Sequence, residues 1–219
     1  MGSLHRFRVY RKDQLRAAGQ GMADPARRQA TYADVEAAPS HLVAELIHGS
    51  LVTHPRPSPR HGVAAINLGF EVVGPFERGR GGPGGWVFIT EPELRFGHNI
   101  LVPDIAGWRR ERLPALPDTN WIETPPDWVC EVLSPSTEIY DRGAKREIYA
   151  AAGVAHLWLL NPIGQQLEAF VLTAGKWLLA GVVSGSDEVA LPPFDAVPFS
   201  LGQLWPFDAP NAPAGDPQT

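Results

Sequence analysis

An apolar strand, a helix and a second apolar strand succeed one another without a break between Trp128 and Leu160, and a unit of that kind belongs to an α/β core. Trp128 to Leu133 carries a single charge, Glu131. Ser134-Pro135-Ser136-Thr137 then opens a helix that runs through Tyr149 to Ala152; Gly153 stands at its C-terminus, and Ala155 to Leu160 follows as a strand. Strand alternation sets Val129, Glu131 and Leu133 on one face, so a carboxylate is held among apolar neighbours on a central strand. Left unpaired there it would cost several kcal/mol, and Glu131 therefore needs a cation or strong donors beside it.

The remaining chain is cut into equally short elements. With 22 Pro and 22 Gly among 219 residues, a long helical bundle is excluded, and the length suits one well-buried domain. We place that domain at 22–207. Residues 1–21 lack apolar periodicity, precede a second possible start at Met22, and read as a leader or flexible N-terminal extension. Residues 208–219, DAPNAPAGDPQT, read as a disordered tail.

Within the domain, Thr31 caps a short helix over Tyr32 to Ala38, and Val43 to Ile47 with Leu51 to Thr53 form a hairpin about His48-Gly49-Ser50. Ser58-Pro59 opens a helix over His61 to Phe76 whose core face is expected to be Val63, Ile66, Leu68, Phe70 and Val73. The GRGGPGG run after it lacks the Lys-Ser/Thr of a phosphate-binding loop and reads as a turn. Strands follow at Trp86 to Thr90, Glu93 to Phe96 and Leu101 to Trp108, and two more, near Leu167 to Leu172 and Trp177 to Val183, add antiparallel pairs to the core.

Charge and composition narrow the function classes. The net charge is -5, and since residues 1–21 carry +4, residues 22–219 carry -9. A broad basic footprint for nucleic acid is thereby excluded, leaving local clusters such as Arg56 with Arg60, or Arg109, Arg110 and Arg112. No apolar run approaches the roughly 20 residues of a membrane-spanning helix, and no signal-peptide core opens the chain, so a cytoplasmic protein without a membrane partner is expected. Cys130, the single cysteine, lies in an apolar run and reads as a small buried hydrophobe.

Asp104 is the one charged residue of Leu101 to Trp108 and follows Pro103. Two carboxylates at the ends of adjacent strands suit Mg²⁺, a hard cation that takes one or two protein carboxylates and keeps waters and phosphate oxygens; Mn²⁺ would substitute. Lys145 stands 14 residues after Glu131 on the following helix, and Tyr149 shares its face at i+4. Each has a plainer reading: Asp104 as a turn residue, Glu131 paired with a core arginine, Lys145 paired with Asp141 at i, i-4. His61 at a helix start, Glu45 in a hairpin strand and His156 at a strand start carry weaker signals.

The stretches AELIHGSLV from Ala44, RPSPRHGVA from Arg56, LVPDIAGW from Leu101, DWVCEVLSPST from Asp127 and DRGAKREIYAAAGVAHLWLLNP from Asp141 resemble the Uma-type family of bacterial restriction-endonuclease-like proteins, a branch of the PD-(D/E)XK nuclease superfamily. The resemblance runs from about Thr31 to about Trp205, and its specific part is Asp127 to Pro162. It implies a restriction-endonuclease-like α/β core, a mixed central sheet flanked by helices with antiparallel additions, in which Asp104 and Glu131 bind a divalent metal. The superfamily's lysine two positions after the glutamate is replaced by Leu133, so Lys145 would supply a migrated amine, supported by Tyr149. Glu45 would be a further metal or water contact, and Arg56, Arg60 and His61 would meet the substrate. His48 and Asn161 stand where the family commonly has acidic residues. The implied activity is Mg²⁺-dependent cleavage of DNA. Separately, the apolar strand Trp177 to Val183 offers a surface that could support a homodimer. A non-cutting interaction module and a hydrolase of smaller phosphoesters are the competing expectations.

Overall fold

The computed structural model describes residues 28–207, and the expectations for residues 1–21 and 208–219 lie outside the described residues. α1 (Tyr32–Glu36) begins at Thr31, whose backbone N–H and hydroxyl both donate to Asp34 at 2.7 and 2.9 Å. β1 (Leu42–Ile47) and β2 (Ser50–Pro55) are joined by a two-residue turn, His48 and Gly49, at φ 49° and 78°. Two left-handed residues give the turn whose twist matches that of the strands. α2 (Pro59–Val72), capped by Ser58, runs into a π-helical turn at Val73–Glu77. Short strands follow: β3 (Trp86–Thr90), β4 (Glu93–Phe96), β5 (Asn99–Leu101), β6 (Ile105–Arg109), β7 (Trp121–Ile122) and β8 (Trp128–Val132). After α3 (Glu138–Arg142) and α4 (Ala144–Ala152) come β9 (His156–Asn161), β10 (Gln166–Thr173), β11 (Lys176–Ser184), β12 (Glu188–Val189), β13 (Phe199–Ser200) and a 3-10 turn at Leu201–Leu204. No described helix is long and apolar enough to cross a membrane.

The main sheet has the order β11-β10-β9-β8-β6-β3 and a second has the order β2-β1-β5-β4-β7. β8 and β9 pair in parallel, which the crossover through α3 and α4 makes possible, and the other neighbours in the main sheet are antiparallel. β8, near the middle, sends Trp128, Cys130 and Val132 into a core with α2, Trp158 and Phe194; Val129 and Leu133 enter a second core with Ile148, Tyr149 and Leu159 of α4 and β9. Glu131 shares the face of Val129 and Leu133 and so points toward α4.

Three expectations are corrected. The single strand expected from Leu101 to Trp108 is two, β5 and β6, because Pro103 between them has no N–H for a ladder. The helix expected from Ser134 to Ala152 breaks at Gly143, where a Cβ would come 2.7 Å from the carbonyl oxygen of Ile139. The face of α2 that enters the core is His61, Ala64, Leu68 and Val72; Ile66 and Phe70, expected inside, are 67% and 79% exposed. Two superimposed i, i+4 rows of apolar residues made the wrong one look inward. In β11, Leu178, Leu179 and Val182 are exposed, while Trp177 is anchored by its Nε1–H to the Arg146 carbonyl at 2.8 Å.

Candidate active site

Antiparallel pairing of β6 with β8 sets Ile105 against Cys130, and Asp104, just before β6, lines the same cleft as Glu131. Asp104 is fixed there from two sides: Oδ2 accepts the Val132 N–H at 2.7 Å, and His61 Nε2 lies 3.2 Å from Oδ1. His61 is the first-turn residue of α2, and its own N–H is held by Ser58 Oγ at 3.4 Å. The interruption at Val102 to Asp104 is thus what lets a strand-end carboxylate turn onto its neighbour.

Lys145 projects from α4 into a ring of carboxylates. Its Nζ lies 2.9 Å from Glu131 Oε1, 3.1 Å from Asp141 Oδ1 and 3.2 Å from Glu45 Oε1. The Tyr149 hydroxyl donates to the same Glu131 Oε1 at 2.6 Å. Glu45 is held by the Val102 N–H on Oε1 at 2.7 Å and lies beside His54 Nε2, 3.4 Å from Oε2. Glu45, Glu131, Asp141 and Lys145 are each only 2% exposed.

Burial at this depth disfavours every charge, and the balance differs among the groups. Burial pushes the Glu131 carboxyl well above the usual range, with Lys145 opposing and Asp141, Asp104 and Glu45 adding to the rise. The same desolvation raises Asp141 against the pull of Lys145 and Thr137. At Glu45 burial is outweighed by Lys145, His54 and the Val102 N–H, and its pKa falls. Desolvation alone would lower Lys145, but Glu131 and Glu45 hold it well above the usual lysine value. His61 is likewise raised, burial being overcome by Asp104.

These side chains open onto a cleft of about 270 Å³ whose lining includes Arg56, His61, Asp104, Glu131, Ser134 and Lys145. Arg56 is half committed already, 3.7 Å from Glu91 and donating to the Ser40 carbonyl at 3.2 Å. Arg60, expected to share the substrate surface, lies instead along a separate recess with Trp205 and Phe207. Arg109 and Arg112 sit at the opposite end of β6 from Asp104, the first over the Trp86 ring at 4.1 Å and the second 2.6 Å from Asp127. That cluster therefore does not edge the cleft. A larger hollow of about 890 Å³ beside His48, Arg95 and Glu147 contains none of the carboxylate cluster.

Of the residues singled out in the sequence, Asp104, Glu131, Lys145, Glu45, Tyr149 and His61 come together; Arg56 stands at the rim and Arg60 does not join them. Sequence reasoning missed His54 and gave Asp141 only the plain role of a helix-pair partner. Asp141 does make that i, i+4 pair, yet at full burial and together with Glu45 and Glu131.

Asp104 and Glu131 offer hard oxygen donors to a cation. Both residues line the same cleft. Among the described residues no group of three or more His, Cys, Asp or Glu forms a ready cage. Two carboxylates and no soft ligand are the donor set of an ion that keeps waters and substrate oxygens, as Mg²⁺ does, and the residues fit it.

A family model described as "Uma2: Putative restriction endonuclease" matches residues 30–201. No curated protein matches the chain. Among solved structures, the crystal structure of "a putative nuclease belonging to DUF820 from Anabaena variabilis ATCC 29413" is similar at TM-score 0.64 and 20% identity, over 80% of this chain and 97% of that one. Its likeness establishes the mixed α/β fold.

Proposed function

Since the chain belongs to the Uma2 family of restriction-endonuclease-like proteins, we propose that it is a divalent-metal-dependent endonuclease that hydrolyses phosphodiester bonds of DNA, with Asp104, Glu131 and Lys145 at its centre. The observation that carries this reading is that Asp104, held by the Val132 N–H, and Glu131 line one cleft, with the Lys145 amine 2.9 Å from Glu131. Hydrolysis is read as in-line attack of water on phosphorus. Asp104 and Glu131 would hold a Mg²⁺ ion, which would supply Lewis acidity at the phosphoryl oxygens and toward the attacking water. The Val132 N–H and His61 orient Asp104, while Tyr149 orients Glu131. Lys145 places fixed positive charge beside the reacting centre, where little water competes with it. Arg56 at the rim meets a flanking phosphate.

Plasmid and oligonucleotide cleavage with Mg²⁺ or Mn²⁺ tests the reading. Wild type should cut only with metal, Asp104→Ala and Glu131→Ala should be inactive while still folded, and Lys145→Ala should lose about 10²- to 10³-fold in rate. Normal cleavage by both carboxylate variants would refute the site. A second reading, hydrolysis of a smaller phosphoester, is favoured by two observations: the cleft is at the small end for ligand sites, and Arg109 and Arg112 lie away from it. Turnover of an aryl phosphodiester without any DNA cleavage would select it. Absence of both activities would select a non-cutting interaction module.

A further inference from the structure

We propose that the outward face of α2 is an interface between two copies of this chain, which pair antiparallel across a twofold axis at Ile66. The contact depends on neither metal nor substrate.

α2 turns His61, Ala64, Leu68 and Val72 inward and carries a second apolar row on its other side. In that row Ile66 and Phe70 are 67% and 79% exposed and belong to neither core. A hollow lies at each end of it. Near the start of the helix a recess of about 200 Å³ is lined by Pro59, Val63, Trp205 and Phe207, the last 85% exposed. Near its end a hollow of about 560 Å³ is lined by Phe70, Val73, Pro75 and Phe199. Large apolar side chains beside apolar hollows, continuous along one helix, mark a protein contact rather than a solvated face.

The face fits a second copy of itself. Ile66 stands midway, with Gly62 and Phe70 four residues to either side and Val63 and Gly69 three. At about 100° per residue the two glycines fall on one flank of Ile66, and Val63 and Phe70 on the other. A twofold axis through Ile66, perpendicular to both helices, sets each flank against the same flank of the second copy with its ends exchanged. Gly62 then meets Gly69, where an added Cβ would find open space at either residue within one chain, so the backbones can approach closely. Phe70 meets Val63 and the recess beside it. Charge follows the same exchange. Glu71, at the outer edge of the Phe70 flank, is acted on by burial alone, with no cation of its own chain opposing. Arg60, which lines the recess, stands at the outer edge of the Val63 flank, so the pairing brings the carboxylate of one copy to the guanidinium of the other. His61 points the opposite way, toward Asp104, and both clefts stay open.

One helix face is a small interface of the weak, reversible kind, with a dissociation constant on the order of 10 micromolar. Sedimentation velocity of the full chain should therefore show dimer at about 100 micromolar and monomer at about 1 micromolar. Phe70→Asp, folded by circular dichroism, should be monomeric at both, and Leu179→Asp, on the exposed row of β11, should leave the dimer intact. Position 66 gives an independent reading, because a residue on the twofold axis meets its own copy. Ile66→Cys, oxidised with copper–phenanthroline, should cross-link two chains through a disulfide, and Leu179→Cys should not. A monomer at every concentration would overturn the proposal and leave this face for a different protein. A dimer that survives Phe70→Asp, or that cross-links at position 179 and not at 66, would overturn it in favour of β11.

Discussion

The Tyr149 hydroxyl and the Lys145 amine approach one oxygen of Glu131, at 2.6 and 2.9 Å, and Tyr149 reaches it from the buried side, its own side chain fully out of solvent. A donor removed there is not replaced by solvent, and Tyr149→Phe should cost about 1–3 kcal/mol of stability, read from the midpoint of urea unfolding. A loss below about 0.5 kcal/mol would mean that Lys145 takes over the bond alone. The residues of the cluster were unequally legible in the sequence. Asp104, Glu131 and Lys145 could be found because each is a charge isolated in an apolar strand or on the helix that follows one. Asp141 lies between Glu138 and Arg142, which pair with each other at 2.7 Å on the surface, and nothing in that charged string marks it as the buried member. His54 alternates in a hairpin strand as any solvent-facing polar residue would; its neighbourhood with Glu45 is a product of the β1–β2 pairing, which sets Glu45 against Val52 and Val43 against His54.

At the scale of elements, α2 shows how a period can be right and its phase wrong. The row Ala64, Leu68, Val72 is buried, and the row containing Ile66 and Phe70 faces outward. Hydrophobicity alone favours the bulkier row; His61 settles the rotation, because its ring must reach Asp104, and a side chain at that position carries Ala64, Leu68 and Val72 with it onto the same face. Leu68→Ala should therefore destabilise the protein by about 2–5 kcal/mol, whereas Phe70→Ser should change stability by no more than about 0.5 kcal/mol. Chemical unfolding of the two variants side by side checks this, and comparable losses would place the helix in the rotation that the sequence first suggests. The strand–helix–strand unit from β8 to β9 was legible for the opposite reason: long apolar runs bounded by Pro and Gly leave one reading. The two-residue strands β7, β12 and β13 are too short to carry any period.

Over the whole molecule, charge and site are at odds: residues 22–219 carry -9, and the cleft is lined by Arg56, two histidines and a lysine already enclosed by carboxylates. The α/β class and the mixed sheet could be read from the order of elements, but the disposition of this charge could not, since Arg109 and Arg112 look in sequence like a phosphate-binding cluster and fold instead onto Trp86 and Asp127. A protein that meets DNA with one or two exposed cations releases few counterions. The slope of log K against log salt should then be shallow, about -1 to -2, for an oligonucleotide bound in Ca²⁺ to suppress cutting and followed by fluorescence anisotropy. A slope steeper than about -4 would mean that phosphates are met by charge elsewhere, for which the +4 carried by residues 1–21 is the candidate. Deleting those residues would then flatten the slope if they supply the contacts and leave it steep if a second chain does.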